Sequence, residues 1–299
     1  MNIDEFICLC RTWGYPIKKM CGHYFYPRKM RNYSFPHFYK IPVNDDLVKY
    51  LKWRYIMSTL FIDAARKNTY EFILDTNSYN LDSFSRKTKN RIKKSLQNCS
   101  FKRPELKDLL TYGLIINQQM VKRQSRKEKL LTDLNQWTKY ITSLYGNNEF
   151  IILGAYYKER MIGYIVVYNL EDRYNIHHAY IDRQDSEITS PMCGLIYKLV
   201  NQLIDENGPL RISYGIDIFE SLPELNRFKQ NMMFSKIPAS RGYIIHPLLL
   251  LMFKLIIFWN IRILKQKVIR SPFTTIVIRL YQGSRLLEKE LQKQTIRVI

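Results

Sequence analysis

Residues 150–168 read FIILGAYYKERMIGYIVVY, two apolar runs rich in β-branched and aromatic residues around the polar segment 158–160. Such runs around a tight turn predict a β-hairpin. A third run, YNIHHAYI at 174–181, follows the polar segment 171–173. Together they predict three consecutive antiparallel strands joined by short connections.

The chain after these strands changes to a helical pattern. Ser190 and Pro191 are typical of an N-cap followed by proline at the first helical position, and the helix 192–206 that they begin stops at Asn207-Gly208-Pro209. A strand at 211–216, a short helix at 223–230 and extended residues at 235–245 follow. This order predicts a mixed, mostly antiparallel α/β sheet flanked by helices, with a cleft beyond the returning strand.

The rest of the chain suggests two further regions. Residues 70–74 predict a strand, the first 70 residues predict short strands and turns, and helices are expected at 85–98, 106–123 and 128–145. The chain beyond His246-Pro247 is basic and helical in pattern. We therefore expect domains at 1–145 and 146–246 and a C-terminal tail at 247–299.

The composition limits the class of protein. With 46% hydrophobic residues and 11 each of Gly and Pro, the 299-residue chain is neither disordered nor collagen-like. Its five cysteines are an odd number without regular spacing, so we expect neither a disulfide framework nor a metal site. The first residues show no signal peptide pattern, so we expect a cytoplasmic chain. The sequence also leaves open whether the protein forms a homo-oligomer.

The charge is strongly basic and unevenly distributed. Lys and Arg number 47 against 26 Asp and Glu, a formal net charge of +21. No acid occurs in residues 6–44 or 225–287, whereas residues 145–226 hold twelve acids and six cations. These ends are either solvated surfaces or sites for anionic partners such as nucleic acid, lipid headgroups or phosphorylated ligands.

The densest basic segment is residues 86–94, with six cations in nine positions. Ser85 is a plausible N-cap, and Leu81, Phe84, Thr88, Ile92 and Leu96 recur at helical spacing. The cations then cover the remaining circumference of the helix. Such a surface suits phosphate groups, although a solvated helix face is the alternative.

These segments resemble the GNAT superfamily of N-acyltransferases, and more closely its Fem-type branch with two GNAT-like halves. The likeness covers residues 70–245 and is carried by the basic helix 85–98, by Met161-Ile162-Gly163-Tyr164, and by the run from Ser190 through Tyr214-Gly215 to Phe228-Lys229. Two departures concern the donor. The glycine-rich phosphate loop keeps only Gly194, and the glycine usual after the Phe-Lys pair is absent around Met232-Met233-Phe234.

The resemblance implies that an acyl-CoA, such as acetyl-CoA, is the donor substrate. The N-terminus of the helix that begins at Ser190 offers free backbone N–H groups and a partial positive charge to a pyrophosphate. We expect Ser190, Met192, Cys193 and Gly194 to bind the donor there. An ordinary capped helix is the alternative.

The strand at 174–181 carries the titratable candidates for catalysis. His177 and His178 are expected on opposite faces because side chains alternate along a strand. His178 and Tyr180 are favoured on the cleft side, with ordinary sheet histidines as the alternative. Tyr214 is a candidate acid for the leaving thiolate, and Asp217 a candidate base or acceptor ligand.

Three cations are candidate contacts for the acceptor or for phosphate. Lys229 matches the Phe-Lys pair of the resemblance, and Arg86 and Arg91 lie on the basic helix. In each case a surface cation without a ligand is the alternative.

The tail combines apolar and basic residues. Residues 248–259 are apolar except for Lys254, and Arg262, Lys265 and Lys267 follow. The run is shorter than the roughly 20 apolar residues that span a bilayer. A helix over 248–270 would suit the anionic inner face of a membrane, or it would pack on the domain or on a second copy.

Three functions therefore stay open. One is an N-acyltransferase that moves an acyl group, with acetyl expected, from acyl-CoA to an amine of an amino sugar or cell-envelope precursor, which is either a small molecule or lipid-linked. The second is a Fem-type peptidyl transfer from aminoacyl-tRNA. The third is a non-catalytic basic protein that binds nucleic acid or membrane.

Overall fold

Helices and strands follow the predicted order through most of the chain. The computed structural model describes residues 1–124, 128–184, 189–217, 222–263 and 272–296. In these ranges the helices are α1 Ile3–Thr12, α2 Asp45–Arg54, α3 Arg86–Asn98, α4 Leu106–Asp108, α5 Leu114–Arg123, α6 Lys129–Thr132, α7 Leu134–Tyr145, α8 Pro191–Asn207, α9 Pro223–Asn231, α10 Pro247–Ile263 and α11 Pro272–Ile296. A 3-10 turn spans Leu81–Ser83, and a π-helix, Leu109–Gly113, joins α4 to α5.

The strands also lie where the sequence pattern places them, including the short strands expected in the first 70 residues; the short strand at 100–102 was not predicted. They are β1 Lys18–Met20, β2 His23–Arg28, β3 Arg31–Ser34, β4 Met57–Ile62, β5 Thr69–Thr76, β6 Ser100–Lys102, β7 Phe150–Tyr157, β8 Arg160–Leu170, β9 Arg173–Ile181, β10 Leu210–Ile216 and β11 Ser235–Ile245.

The chain forms two units, each assembled from separate segments. Unit 1 comprises Met1–Gly14, Phe72–Gly215 and Leu222–Lys236. Unit 2 comprises Tyr15–Glu71, Ile216–Ser221 and Ile237–Ile299. The domain boundaries expected at 145 and 246 stay predictions.

The sheet of unit 1 has the order β5-β10-β9-β8-β7-β6. The predicted hairpin is present, because β7 pairs antiparallel with β8 from Phe150↔Tyr168 to Tyr157↔Arg160. The next strand, β9, pairs antiparallel with β8, and β6 pairs antiparallel with β7. The expected mixed, mostly antiparallel sheet flanked by helices is therefore confirmed.

The returning strand β10 pairs with β9 in parallel and only near the start of β9. The paired positions are Ile212↔Tyr174 and Ser213↔Asn175. Strand β9 continues for six more residues to Ile181, paired with β8 on its other edge. The sheet therefore opens between these two strands, as the predicted cleft requires.

Helix α8 covers one face of this sheet. Its fully buried residues are Leu195, Ile196, Leu199, Val200 and Leu203. They share a core with Ile162 and Val167 of β8, Ile212 of β10 and Ile92 of α3. Burying each such side chain contributes about 1.5–3 kcal/mol, so this packing fixes α8 and α3 against the sheet.

Aromatic side chains fill the opposite face. Trp137 and Tyr140 of α7 and Tyr164 of β8 are fully buried there. Phe6 of α1 stacks on Tyr168 with ring centroids 4.6 Å apart, and Trp13 meets Tyr140 edge to face. The N-terminal helix is thus an integral layer of unit 1.

Unit 2 has a second sheet, ordered β1-β2-β3-β4-β11. Strands β3 and β4 are parallel, and the other neighbouring pairs are antiparallel. Its core contains Phe25, Leu47, Leu51, Leu60 and Leu287. No helix in the described part of the chain is long and apolar enough to cross a membrane.

Candidate active site

A β-bulge in β9 brings two histidines together. Val166 of β8 pairs with His178 and Val167 pairs with Ile176, so His177 is the extra residue of the bulge. The two imidazole centroids are 4.2 Å apart, and both rings lie near the ring of Tyr140. The expectation that the two histidines face opposite sides of the strand was wrong, because the bulge interrupts the alternation that it assumed.

The bulge also resets which residues of β9 share a face. Tyr174, Ile176, Ala179 and Ile181 pack toward the α8 core. His178 and Tyr180 lie on the side of Tyr140 and Tyr164 instead. The predicted pairing of His178 with Tyr180 on one side therefore holds, although Tyr174 and Ile176 do not share it. Bulges of this kind are frequent beside active sites.

His178 lies between two tyrosine hydroxyls. Its Nε2 is 2.6 Å from the Tyr140 Oη, and its Nδ1 is 3.2 Å from the Tyr180 Oη. His178 and Tyr140 are buried, whereas Tyr180 is half-buried. The three side chains form a hydrogen-bonded chain that runs from the interior to a partly accessible hydroxyl.

The surroundings hold His178 in its neutral form. Burial, with a smaller contribution from His177, lowers the pKa of His178 well below its usual value. A neutral imidazole carries one N–H and one lone pair, so it can accept a proton at one nitrogen and donate at the other. The chain Tyr140–His178–Tyr180 is therefore suited to relaying a proton.

Tyr164 supports this chain from β8. Its ring meets the Tyr180 ring edge to face with centroids 5.9 Å apart, and its hydroxyl donates to the Asn117 Oδ1 of α5. Burial raises the pKa of Tyr164 well above the usual tyrosine value. Tyr164 is thus a fixed neutral neighbour that limits the positions open to Tyr180.

Tyr214 lies on β10, just past the last position that pairs with β9. Its ring meets Phe234 edge to face. Desolvation, with electrostatic contributions from Tyr180 and Cys193, raises the pKa of its hydroxyl. Tyr214 therefore keeps its proton at neutral pH.

Lys229 of α9 secures the backbone at Tyr214. Its ammonium donates to the Tyr214 carbonyl oxygen at 2.9 Å and lies over the rings of Phe72 and Tyr214, at 4.4 and 4.9 Å from their centroids. The side chain is only 5% exposed. This geometry suits a positioning role for the β10 strand; a phosphate contact stays a prediction.

The first turn of α8 differs from an ordinary capped helix. Pro191 occupies the start of the helix, as expected, but the Ser190 side chain makes no capping hydrogen bond. Ser190 has φ +48° and ψ +46°, a left-handed conformation that is uncommon for residues other than glycine. The expected serine cap is therefore absent. Strained residues of this kind occur preferentially at functional sites.

Close packing surrounds the residues predicted to bind the donor. Met192 and Cys193 are buried, and burial raises the pKa of the Cys193 thiol to about 11. A Cβ on Gly194 would come within 2.4 Å of the Ser95 Oγ and 2.3 Å of the Phe101 ring. Gly194 is thus explained by the close approach of Ser95 of α3 and Phe101 of β6 to α8.

The basic helix α3 carries its cations to this end of α8. Ser85 caps it by accepting from the Thr88 N–H, as predicted, and Thr88, Ile92 and Ser95 form its buried face. Arg91 is exposed, yet its charge lowers the pKa of Cys193. Arg86 is exposed one turn earlier. The structure therefore brings together Arg91 and the first turn of α8, two parts predicted separately.

Asp217 lies in unit 2. Its backbone N–H donates to the Tyr70 carbonyl oxygen at 2.8 Å, and its own carbonyl oxygen accepts from the Arg241 Nη2 at 3.0 Å. A role for its carboxylate stays a prediction.

Sequence reasoning missed two residues of this site. Tyr140 and Asn117 lie on α7 and α5, far from β9 in sequence, and nothing in their helical patterns separates them from core residues.

A separate groove of about 680 Å³ lies beside the C-terminal half of α8. Its lining includes Cys99, Phe101, Leu153, Lys198 and Glu206. Of the described residues that line it, none is a predicted site residue. Among the described residues no group of three or more His, Cys, Asp or Glu side chains is placed to hold a metal ion.

No sequence model of a protein family matches the chain, and no curated protein does either. Solved structures with similar folds include L-PGS from Bacillus licheniformis, at 12% identity and a TM-score of 0.51 over 94% of this chain and 97% of that one. They also include the C-terminal domain assigned to a lysylphosphatidylglycerol synthetase from Agrobacterium fabrum, at 9% identity and a TM-score of 0.52 over 78% and 85%.

FemX is also similar, at 9% identity and a TM-score of 0.48 over 67% of each chain. At these identities the likeness concerns the fold alone. The chain therefore shares the fold of the L-PGS and lysylphosphatidylglycerol synthetase structures, and it has the element order and the opening between β9 and β10 that the GNAT resemblance predicts.

Proposed function

We propose that the protein is an N-acyltransferase that moves an acyl group, with acetyl expected, from acyl-CoA to an amine of an amino sugar or cell-envelope precursor. The observation that carries the proposal is the hydrogen-bonded chain Tyr140–His178–Tyr180, which ends at a half-buried hydroxyl. Tyr180 belongs to the part of β9 that is not paired with β10.

The donor would lie with its phosphates at the start of α8. The helix dipole provides a partial positive charge there, and Arg91 adds a full one. Arg86, one turn before it, extends the cationic surface toward solvent. The backbone of Met192 and Gly194, rather than their side chains, would face the pyrophosphate, whereas the Cys193 N–H donates to the Ser190 carbonyl oxygen at 3.0 Å.

The relay would remove the proton that the acceptor amine must lose. In the transfer the amine nitrogen bonds to the acyl carbon, the bond from carbon to sulfur breaks, and the thiolate leaves. Tyr180 presents the accessible hydroxyl, and His178 accepts its proton while Tyr140 fixes the imidazole. A positioned acid–base group of this kind contributes about 10²–10⁴-fold in rate.

Tyr214 would return a proton to the leaving thiolate. Its raised pKa keeps the hydroxyl protonated at neutral pH, so it is a donor rather than a base. Lys229, bonded to the backbone carbonyl of the same residue, holds it at the opening. The two tyrosines thus take opposite proton-transfer roles on neighbouring strands.

The test is the release of free CoA thiol from acetyl-CoA in the presence of amino sugars, free or lipid-linked. We expect acceptor-dependent release that Tyr214→Phe slows, while Tyr157→Phe on β7 leaves it unchanged. Two results together would contradict the acyl-CoA donor. Thiol release would be no faster with any acceptor than in buffer alone, and the protein would transfer from aminoacyl-tRNA.

The exposed cations of α3 favour one second candidate, an aminoacyl-tRNA donor. Arg86, Lys87, Arg91, Lys93 and Lys94 are all exposed along the helix. A polyanionic donor would contact the exposed cations along the whole of α3, whereas CoA would contact only the part of α3 near Cys193. Binding that depends steeply on salt would favour the tRNA donor.

A further inference from the structure

One helix of unit 2 is apolar on both of its faces. The inner face of α10 packs Phe253, Leu249 and Leu250 into a core with Tyr243, Val277 and Leu280. The outer face exposes Leu248, Leu251, Met252 and Leu255, at 69%, 55%, 55% and 50% of their surface. Soluble proteins rarely leave contiguous apolar surface uncovered, and such a patch marks an interaction site.

The exposed residues form one stripe. They recur at spacings of three, four and seven residues from Leu248, which places them on one side of a helix. Lys254, also exposed, lies at the edge of the stripe. The arrangement is that of a helix lying in a membrane interface, with apolar side chains inserted and a cation beside them.

An exposed tryptophan lies beside the start of this helix. Trp53 of α2 is 67% exposed, and its ring meets the His246 ring with centroids 5.5 Å apart. His246 immediately precedes α10, and its N–H donates to the Ile56 carbonyl oxygen. Tryptophan with nearby cations is typical of the membrane–water boundary, and Lys49 and Arg54 are exposed on the same helix.

We propose that the stripe of α10, with Trp53, docks unit 2 on an anionic lipid surface. The exposed cations beside the patch select this occupant: Lys254 lies on α10, and Lys49 and Arg54 lie on α2 with Trp53. A symmetric dimer through the same face would bring the cations of one copy against those of the other. Anionic headgroups would attract them instead.

The segment 264–270, which the sequence also predicts to contact the membrane, lies outside the described residues. The proposal therefore rests on α10 and Trp53 alone. It does not depend on the acyl donor, so its failure and that of the proposed transferase are separate outcomes.

The test is cosedimentation of the full chain with vesicles of phosphatidylcholine alone and with added phosphatidylglycerol. We expect binding to the anionic vesicles only, weakened by salt. The double variant Leu251→Gln with Met252→Gln should bind about tenfold more weakly because two inserted side chains are lost. Trp53→Ala should weaken it as well.

Leu134→Gln is the matched control, since Leu134 in unit 1 is 56% exposed and Leu251 is 55% exposed. It should bind as the unaltered chain does, and circular dichroism checks that each variant is folded. The proposal is overturned if the anionic vesicles do not bind the chain, or if the double variant binds unchanged. It is also overturned if sedimentation velocity shows a dimer that the double variant dissociates.

Discussion

The single residue His177 explains much of the site. As the extra residue of a bulge, it turns His178 and Tyr180 to the same side as Tyr140. Alternation along the strand was the right principle for 174–176 and again for 178–180, but a bulge leaves no mark in composition or spacing. That His178 and Tyr180 lie on one side could thus be predicted, whereas their contact with Tyr140 could not.

The proposed relay predicts a specific loss on removing one hydroxyl. Tyr180→Phe should lower kcat about 10²–10⁴-fold, because the imidazole of His178 can no longer reach the acceptor amine. The dissociation constant for acetyl-CoA should stay unchanged in calorimetry. Tyr174→Phe, on the same strand but packed toward α8, is the control and should keep kcat.

Buried neutral His178 also predicts how stability depends on pH. The unfolded chain binds a proton at His178 below about pH 6.5, while the folded chain resists it, so the free energy of unfolding falls as pH drops below that value. The slope is about 1.4 kcal/mol per pH unit for one such proton.

Denaturant unfolding from pH 7 to 5 measures this effect. His178→Gln should lose less stability over that range, since glutamine has no proton to gain. His23 and His37, whose pKa values are also lowered, are present in both proteins and cancel in the comparison. Parallel curves for the two proteins would show that His178 does not resist protonation.

At the scale of elements, the sequence predicted most strands and helices of unit 1 and fewer of unit 2. Helix α1 was missed although Asn2 and Glu5 form a capping box and Phe6, Ile7 and Cys10 provide its buried face. These residues would have been enough to predict the helix. The parallel pairing of β3 with β4 could not be predicted, because strand order depends on contacts between residues that are distant in sequence.

The junction of α3 with α8 gives a prediction at this scale. Gly194→Ala should destabilise the protein by about 1–3 kcal/mol, because its Cβ would overlap Ser95 and Phe101. It should also weaken acetyl-CoA binding by displacing the first turn of α8. Thermal unfolding and calorimetry measure the two effects.

Gly146 provides the matched control. It ends α7 with φ −82°, and a Cβ there would meet nothing closer than the Thr142 carbonyl oxygen at 3.6 Å. Gly146→Ala should therefore change neither quantity appreciably. An equal loss in both variants would mean that the contact of α3 with α8 is not the cause.

For the whole molecule, the sequence shows a clear excess of positive charge but does not show where on the surface the cations lie. The excess of cations in the chain is explained in part by the exposed face of α3 and in part by the acid-free segment that contains α10. Only the folded structure shows that the charge of Arg91 acts on the Cys193 thiol, since the two are about a hundred residues apart in the sequence.

The most direct measurement is calorimetric binding of acetyl-CoA, with deacylated tRNA in parallel, at low and moderate salt. We predict salt-tolerant acetyl-CoA binding in the micromolar range that Arg91→Ala weakens and Lys93→Ala, on the same exposed helix, leaves unchanged. Absence of acetyl-CoA binding, with tight tRNA binding that salt abolishes, would contradict the acyl-CoA transferase.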